Sequence, residues 1–331
     1  MQRITCADAP IRVYGLLQES LPECFHRLPQ QLALPQELLS RARTPAGGRV
    51  RFRTDAPQVT AHMELDTLTV DFAIPLCGSA GAVAAVGTGA GMRYAGLLCP
   101  RKYDERSVSL TFAKDPVMED VTLFLPRNEA VRSVWFTLPD GAKVEPPTPY
   151  AVEKPIVFYG SSITEGGCAS RVTNAYPALL SKWLNADFIN LGFSGLAKGE
   201  LPVARFIAGH AMSAFVYDYD HNAPSPAHLA ATHEPFFRVI RDAHPTLPIL
   251  ILTKPDSDAN PADAAARREV IRGTFLRAQA AGDRHVAFLD GHAFFGASDR
   301  ADCAVDNCHP NDLGFMRMAE TVYPVLKEML G

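Results

Sequence analysis

The sequence predicts an α/β fold, a parallel sheet covered by helices on both faces, preceded by a β-sandwich-like unit. Three observations carry this. After residue 150, short and almost wholly apolar strand candidates alternate with helix-length amphipathic runs, as expected where helices cover both faces of a parallel sheet. Before residue 150, alternating segments rich in Val, Thr and Phe follow one another between Gly, Pro and Asp turns, the pattern of a sandwich. Between the two, Glu145-Pro146-Pro147-Thr148-Pro149 disfavours helix and reads as a stiff connector. The expected division is residues 1–150 as a β-rich (sandwich or jelly-roll-like) accessory domain and 151–331 as a catalytic domain.

In the first part the strand candidates are Arg49–Arg53, Val59–Leu65, Thr67–Ile74, Ser107–Phe112, Val121–Leu125 and Val131–Leu138, with one helical pattern at about residues 30–43. In the second they are Ile156–Tyr159, Phe188–Leu191, Ala214–Tyr219, Ile249–Thr253 and Val286–Leu289. Helical patterns lie between and after these strands, at Ala175–Leu184, about 199–209, Pro226–Ala243, Ala262–Ala281 and Asp312–Leu330. Ligands of such sheets bind beyond the carboxyl ends of the strands, and the chemistry-bearing motifs fall there.

Composition narrows the class. The 331 residues are 47% hydrophobic and 21% charged, with a net charge of −4 and no basic cluster, so a nucleic-acid partner is not expected. The longest apolar stretch, Ala80–Gly91, is too short and too glycine-rich to span a bilayer. The amino terminus carries an early acid and no apolar core segment, unlike a secretory signal. Seven scattered cysteines without a CxxC pair suggest neither a zinc site nor a disulfide framework, and a reduced, cytoplasmic protein is expected. Oligomeric state is not legible.

Residues 157–164, Val-Phe-Tyr-Gly-Ser-Ser-Ile-Thr, form an apolar run that breaks at Gly160 and delivers Ser162 to a turn. A serine hydroxyl there gains an oxyanion site from the free N–H groups of a helix start, but needs a base to become nucleophilic. The bland alternative is a turn serine that caps a helix, and Ser161 competes within the same turn. Far downstream, Asp306-Asn307-Cys308-His309-Pro310 offers His309 as the base and Asp306 as its orienter. Read alone, it is equally an Asx turn with an incidental histidine. Asn190-Leu191-Gly192-Phe193-Ser194-Gly195 and Asp218-Tyr219-Asp220-His221-Asn222 follow the second and third strands. A glycine N–H and the Asn222 amide are candidate oxyanion donors; as isolated features they are an ordinary loop glycine and a loop cap.

Together these four segments, in this order, resemble the four sequence blocks of the SGNH (GDSL-type) hydrolase superfamily. The resemblance runs from about residue 153 to the end. It implies a three-layer α/β/α sandwich with Ser162 as nucleophile, Asp306 and His309 completing the triad, and Ser162, Gly195 and Asn222 as oxyanion donors. The chain departs from the family pattern at Ser161, where Asp usually precedes the nucleophile, and at Asp220-His221-Asn222-Ala223 in place of Gly-x-Asn-Asp. Residues 46–55 and 121–126 are similar to the β-rich unit that precedes the hydrolase domain in some members, including carbohydrate esterases.

Other features weigh less. His221, His228 and His233 lack the spacing of a two-His metal helix, and no metal or cofactor is expected. Gly87-Thr88-Gly89-Ala90-Gly91 resembles a phosphate loop but lacks Lys and a following helix pattern. Cys168 and Cys308 are expected near the pocket as packing groups, a cysteine nucleophile on His309 being the weaker alternative. Arg171 is expected to be solvated rather than to meet an anionic substrate. The expected activity is hydrolysis of short-chain esters, acetyl above all, of carbohydrates or other polar alcohols through an acyl-serine. A lipid acyl hydrolase, or a carbohydrate-binding protein with an inactive hydrolase domain, are the alternatives.

Overall fold

The proline-rich residues 146–149 separate two antiparallel sheets from one parallel sheet in a computed structural model of the chain, which describes residues 1–17, 25–255 and 258–331. The amino-terminal strands are β1 (Gln2–Thr5), β2 (Arg12–Tyr14), β3 (Arg49–Thr54), β4 (Gln58–Leu65), β5 (Ala82–Val86), β6 (Arg93–Leu98), β7 (Ser107–Ala113), β8 (Glu119–Phe124), β9 (Val131–Leu138) and β10 (Val144–Glu145). One sheet has the order β1-β9-β4-β7; the other runs β10-β3-β8-β5-β6, with β2 on β3. Val50, Phe52, Val121 and Leu123 from the second sheet meet Val59, Ala61, Met63, Val134 and Phe136 from the first in one buried cluster. Alternate residues along each strand point inward, which is what the period-two pattern requires of two sheets packed face to face.

Two short helices, α1 (Gln36–Arg41) and α2 (Leu76–Ser79), interrupt these strands. The helix expected over 30–43 is thus only six residues long, Gln36–Arg41, because Pro29 and Pro35 restrict what precedes it. The strand expected at Thr67–Ile74 is an irregular loop. Both edges of β4 are already taken by β7 and β9, so the segment cannot fold back beside the strand it follows. Side chains satisfy its backbone instead: Glu129 Oε1 accepts from Thr69 N at 3.0 Å and Asp71 Oδ1 from Ala73 N at 2.9 Å. Its alternating apolar residues Val70 and Phe72 are left 73% and 94% exposed. The glycine-rich stretch 80–91 contains β5, whose small Ala and Val side chains are wholly buried.

The parallel sheet is built from β11 (Val152–Gly160), β12 (Ala186–Gly192), β13 (Ala214–Asp218), β14 (Ile249–Leu252) and β15 (Val286–Leu289) in the order β12-β11-β13-β14-β15. The helices are α3 (Ser162–Glu165), α4 (Tyr176–Leu184), α5 (Leu201–Ala208), α6 (Pro226–Ala243), α7 (Pro261–Ala280) and α8 (Asp312–Leu330). Alternation again sorts the strands. Val157, Tyr159, Phe215, Tyr217 and Ile249 pack with Val203, Ile207, Phe236, Ile240 and Ile271 of α5, α6 and α7. Ile156, Phe158, Phe188, Val216 and Leu250 pack on the other face with Tyr176, Leu180, Phe315, Met318 and Val322 of α4 and α8. The result is an α/β/α sandwich. β11 is second in the order, with β12 and β13 on either side, so its carboxyl end opens where the order reverses, the usual ligand site of such a sheet.

Candidate active site

Gly160 ends β11 at a position only glycine fits: a Cβ there would stand 1.9 Å from Asp218 O and 2.0 Å from Thr164 Oγ1. The chain then turns into α3. Ser161 is the N-cap, its hydroxyl accepting from Ile163 N at 3.1 Å, and it is completely buried. The capping role weighed for the serine pair therefore belongs to Ser161. Ser162, the next residue, stays at the surface of a cleft of about 430 Å³. As first residue of the helix, its N–H has no acceptor within that helix.

The loop before α8 carries the partner groups. An isolated bridge between Ala304 and Pro310 closes it, Val305 N donates to His309 O at 2.9 Å, and Asn307 turns it with a φ of 60°. Pro310 O also accepts from Cys168 N at 3.2 Å, which ties this loop to the one following α3. Ser162 Oγ lies 2.7 Å from His309 Nε2, and His309 Nδ1 lies 2.8 Å from Asp306 Oδ2. The second Asp306 oxygen accepts from the backbone N–H groups of His309 and Cys308 at 2.8 and 3.2 Å. Asp306 thus closes an Asx turn and holds the His309 ring at once. Burial pushes its carboxyl up, but these hydrogen bonds and the imidazole more than offset it, and the group lies below the usual carboxylate range.

Gly195 and Asn222 come to the same cleft and are tied to each other. Gly195 N donates to Asn222 Oδ1 at 3.1 Å, and Asn222 Nδ2 donates to Phe193 O at 2.8 Å. One Nδ2 hydrogen of Asn222 remains for a ligand. His221 lines the cleft as well, beside Cys308 Sγ at 3.5 Å from its Nδ1. Burial, then the charges of Lys254, His309 and Arg267, hold its imidazole well below the ordinary range, so it is neutral at pH 7. Cys168 also lines the cleft, and burial raises its thiol to about 11, which leaves it little thiolate character.

The remaining candidates disperse. His228 Nε2 meets Lys198 O at 2.9 Å and His233 Nδ1 meets Thr274 Oγ1 at 2.9 Å, so these two do not converge with His221. Among the described residues, no group of three or more His, Cys, Asp or Glu is placed to hold a metal ion. Arg171 stacks on Tyr94, 4.7 Å from its ring centroid, and bonds Asn174 rather than the cleft. Cys24 falls outside the described residues.

Sequence reasoning missed a charged cluster directly behind the nucleophile turn. Glu165, the last residue of α3, is fully buried between Arg27 at 2.7 Å and Arg41 at 2.6 Å. Its Oε2 also accepts from Ser194 N at 3.2 Å and from the Ser194 hydroxyl. Burial pushes the carboxyl up, but Arg41 and Arg27 outweigh it and bring the group down to about 2. Both arginines come from the amino-terminal part of the chain, and no local motif marks them.

Asp218, at the end of β13, was also unmarked. It is buried against Thr164 Oγ1 at 3.0 Å and Tyr176 OH at 3.4 Å. Burial, reinforced by Asp220, raises its carboxyl from 3.8 to about 8. A raised folded-state value means that this group's contribution is complete below about pH 4 and is lost as pH rises through about 8. Asp218→Asn is expected to flatten the fall in melting temperature between about pH 4 and pH 8. Thermal melts across that range check it, and an unchanged slope would remove Asp218 as the cause.

Comparison with known proteins places this geometry. Residues 153–327 match the model of the GDSL-like Lipase/Acylhydrolase family, more than half of the chain. The chain belongs to that family. It is a carboxylic ester hydrolase of the SGNH (GDSL) type, and the expected α/β/α sandwich holds. No curated protein matches the sequence. A Bacteroides ovatus protein provisionally assigned as a GDSL-like lipase superposes with a TM-score of 0.88 at 24% identity, over 99% of this chain and 98% of that one. The salicylyl-acyltransferase SsfX3 of a tetracycline biosynthetic pathway gives 0.81 at 20% identity, over 99% and 97%. A family two carbohydrate esterase from Clostridium thermocellum gives 0.63 at 17% identity, over 86% and 93%. These likenesses span both parts of the chain, so the β-rich unit and the hydrolase recur together. Among the described residues no helix is long and apolar enough to cross a membrane.

Proposed function

We propose that the protein hydrolyses short-chain esters, acetyl foremost, of carbohydrates or similarly polar alcohols through a Ser162 acyl-enzyme. The observation that carries this reading is the Ser162–His309–Asp306 chain, with contacts of 2.7 and 2.8 Å. In it, Ser162 Oγ attacks the carbonyl carbon while His309 Nε2 takes the hydroxyl proton. His309 then gives that proton to the departing alcohol, and a water repeats the sequence on the acyl-serine. Asp306 fixes the tautomer that leaves Nε2 free to accept and stabilises the imidazolium. The Ser162 N–H and the remaining Asn222 Nδ2 hydrogen stabilise the oxyanion, joined by the Gly195 N–H as it exchanges Asn222 Oδ1 for the substrate oxygen, each donor worth roughly 10²–10³ in kcat.

The cleft favours a small acyl group on a polar alcohol. It holds about 430 Å³, and Asp71, Asn128, Ser194, Asn222 and Arg41 line it beside Ile74 and Phe72. The carbohydrate esterase from Clostridium thermocellum among the structural neighbours is in keeping with a sugar ester. On this reading residues 1–150 act as an accessory unit that walls the cleft.

A fluorophosphonate probe tests the nucleophile. It is expected to add one covalent adduct per chain, located by peptide mass spectrometry on Ser162 and not on Ser161. An adduct on Ser161 or a cysteine, or none, would overturn the assignment. A panel of p-nitrophenyl esters from acetyl to dodecanoyl, run beside acetylated sugars, tests the substrate class. Rates that rise with chain length would favour the lipid reading instead.

A further inference from the structure

The floor of the cleft holds a guanidinium with one edge unpaired among the described residues. Arg127 is only 3% exposed and lines the cleft with Ser162. Gly166, just after α3, makes room for it: a Cβ there would lie 2.8 Å from Arg127 Cδ. Among the described residues its one hydrogen-bond acceptor is Gly167 O, reached by Nη1. Its Nε is buried without any acceptor, and among the described residues Nη2 finds no partner. These two nitrogens form one edge of the guanidinium, the edge whose parallel N–H groups match the two oxygens of a carboxylate.

The nearby acids do not fill that edge. No described carboxylate oxygen lies within 4.0 Å of an Arg127 nitrogen. Both oxygens of Glu165 are occupied by Arg27, Arg41 and Ser194. Asp71 Oδ1 serves Ala73 N, and Glu129 Oε1 serves Thr69. Burial is the main reason the Arg127 group is pulled down to about 10, with Glu165 only partly opposing it, so the side chain stays charged at neutral pH. A buried cation held with its bidentate edge unsatisfied is costly unless a counter-ion arrives. Nη2 keeps accessible surface while Nε has none, so an anion entering through the cleft that also contains Ser162 meets Nη2 first.

We infer that Arg127 is the specificity-determining residue of an anionic subsite, and that the favoured ester carries a carboxylate on its acyl or its alcohol portion. This rests on the esterase reading above and refines its substrate class. Arg41, 20% exposed at the same cleft and already paired with Glu165, adds positive potential without a free edge.

Matched ester pairs decide it. One pair places the charge on the acyl side, p-nitrophenyl hydrogen succinate against p-nitrophenyl butyrate. The other places it on the alcohol side, 4-acetoxybenzoate against phenyl acetate. In the wild-type enzyme kcat/KM is expected to be at least tenfold higher for the anionic member of one pair. That ratio should fall tenfold or more in Arg127→Met and only partly in Arg127→Lys, which keeps the charge but not the fork. Equal rates within both pairs, or a preference retained in Arg127→Met, would overturn the subsite. Calorimetric binding of the same four esters to Ser162→Ala separates the two readings. Tighter binding of an anionic ester that vanishes with Arg127→Met sustains the subsite even if the wild type hydrolyses none of them. Equal binding of anionic and neutral esters removes the subsite whatever the turnover.

Discussion

Ser162→Ala is expected to lower kcat for p-nitrophenyl acetate by roughly 10⁴–10⁶-fold while leaving the melting temperature nearly unchanged. The two halves of this expectation have separate causes. The hydroxyl donates the nucleophile, and nothing else in the cleft replaces it: burial raises the Cys168 thiol to about 11, and Cys308 is directed at His221. What remains after substitution is binding and oxyanion stabilisation alone. The structural cost is small because the lost hydrogen bond runs to His309, a partly exposed residue that water can reach. Ser161→Ala is the control with the opposite profile. It removes the helix cap held by Ile163 N, and about 1 kcal/mol of stability with it, while the attacking hydroxyl stays. Steady-state kinetics and thermal melts on both variants check the pair. Retained turnover in Ser162→Ala would sink the acyl-serine mechanism.

The contrast between these neighbouring serines shows what the sequence carried and what it did not. The strand-to-turn pattern of residues 157–164 and the Asp306–His309 spacing are local features. Each follows from a few residues whose backbone geometry is nearly determined by type, so the fold class was readable, and with it the candidate residues that the fold brings together. Thr67–Ile74 misled because its alternation is real but β4 has no free edge for it, which is a fact about β7 and β9 rather than about residues 67–74. Arg27, Arg41, Arg127 and Glu165 were invisible for a related reason. Their meaning lies in contacts separated by as many as 165 residues, and a single arginine in a β-rich segment looks like any solvated one. Asp218 likewise reads as a strand-end acid until the Thr164 and Tyr176 hydroxyls close over it.

Glu165→Gln is expected to cost more stability than any other single change near the site, about 3–5 kcal/mol, or on the order of 10 °C in melting temperature. The glutamine fits the space but leaves Arg27, wholly buried, beside an amide group instead of a carboxylate. Removing one member of a buried pair exposes the full desolvation cost of the other. Activity should fall as well, by about tenfold in kcat, because Glu165 Oε2 holds Ser194 next to the Gly195 donor. The pH dependence distinguishes this from a packing defect. The folded carboxyl sits near 2 against an ordinary 4.5. Its contribution is therefore present above about pH 4.5 and is lost as pH falls through about 2. Wild type and Glu165→Gln should differ most at pH 7 and converge in melting temperature toward pH 3. A gap that stays constant across that range would show that shape, not charge, is what the site loses. A convergent gap would mean that Arg27 and Arg41, both from the amino-terminal part, hold the nucleophile turn and the oxyanion loop together through one carboxylate. The β-rich unit would then be part of the active site and not an appendage to it.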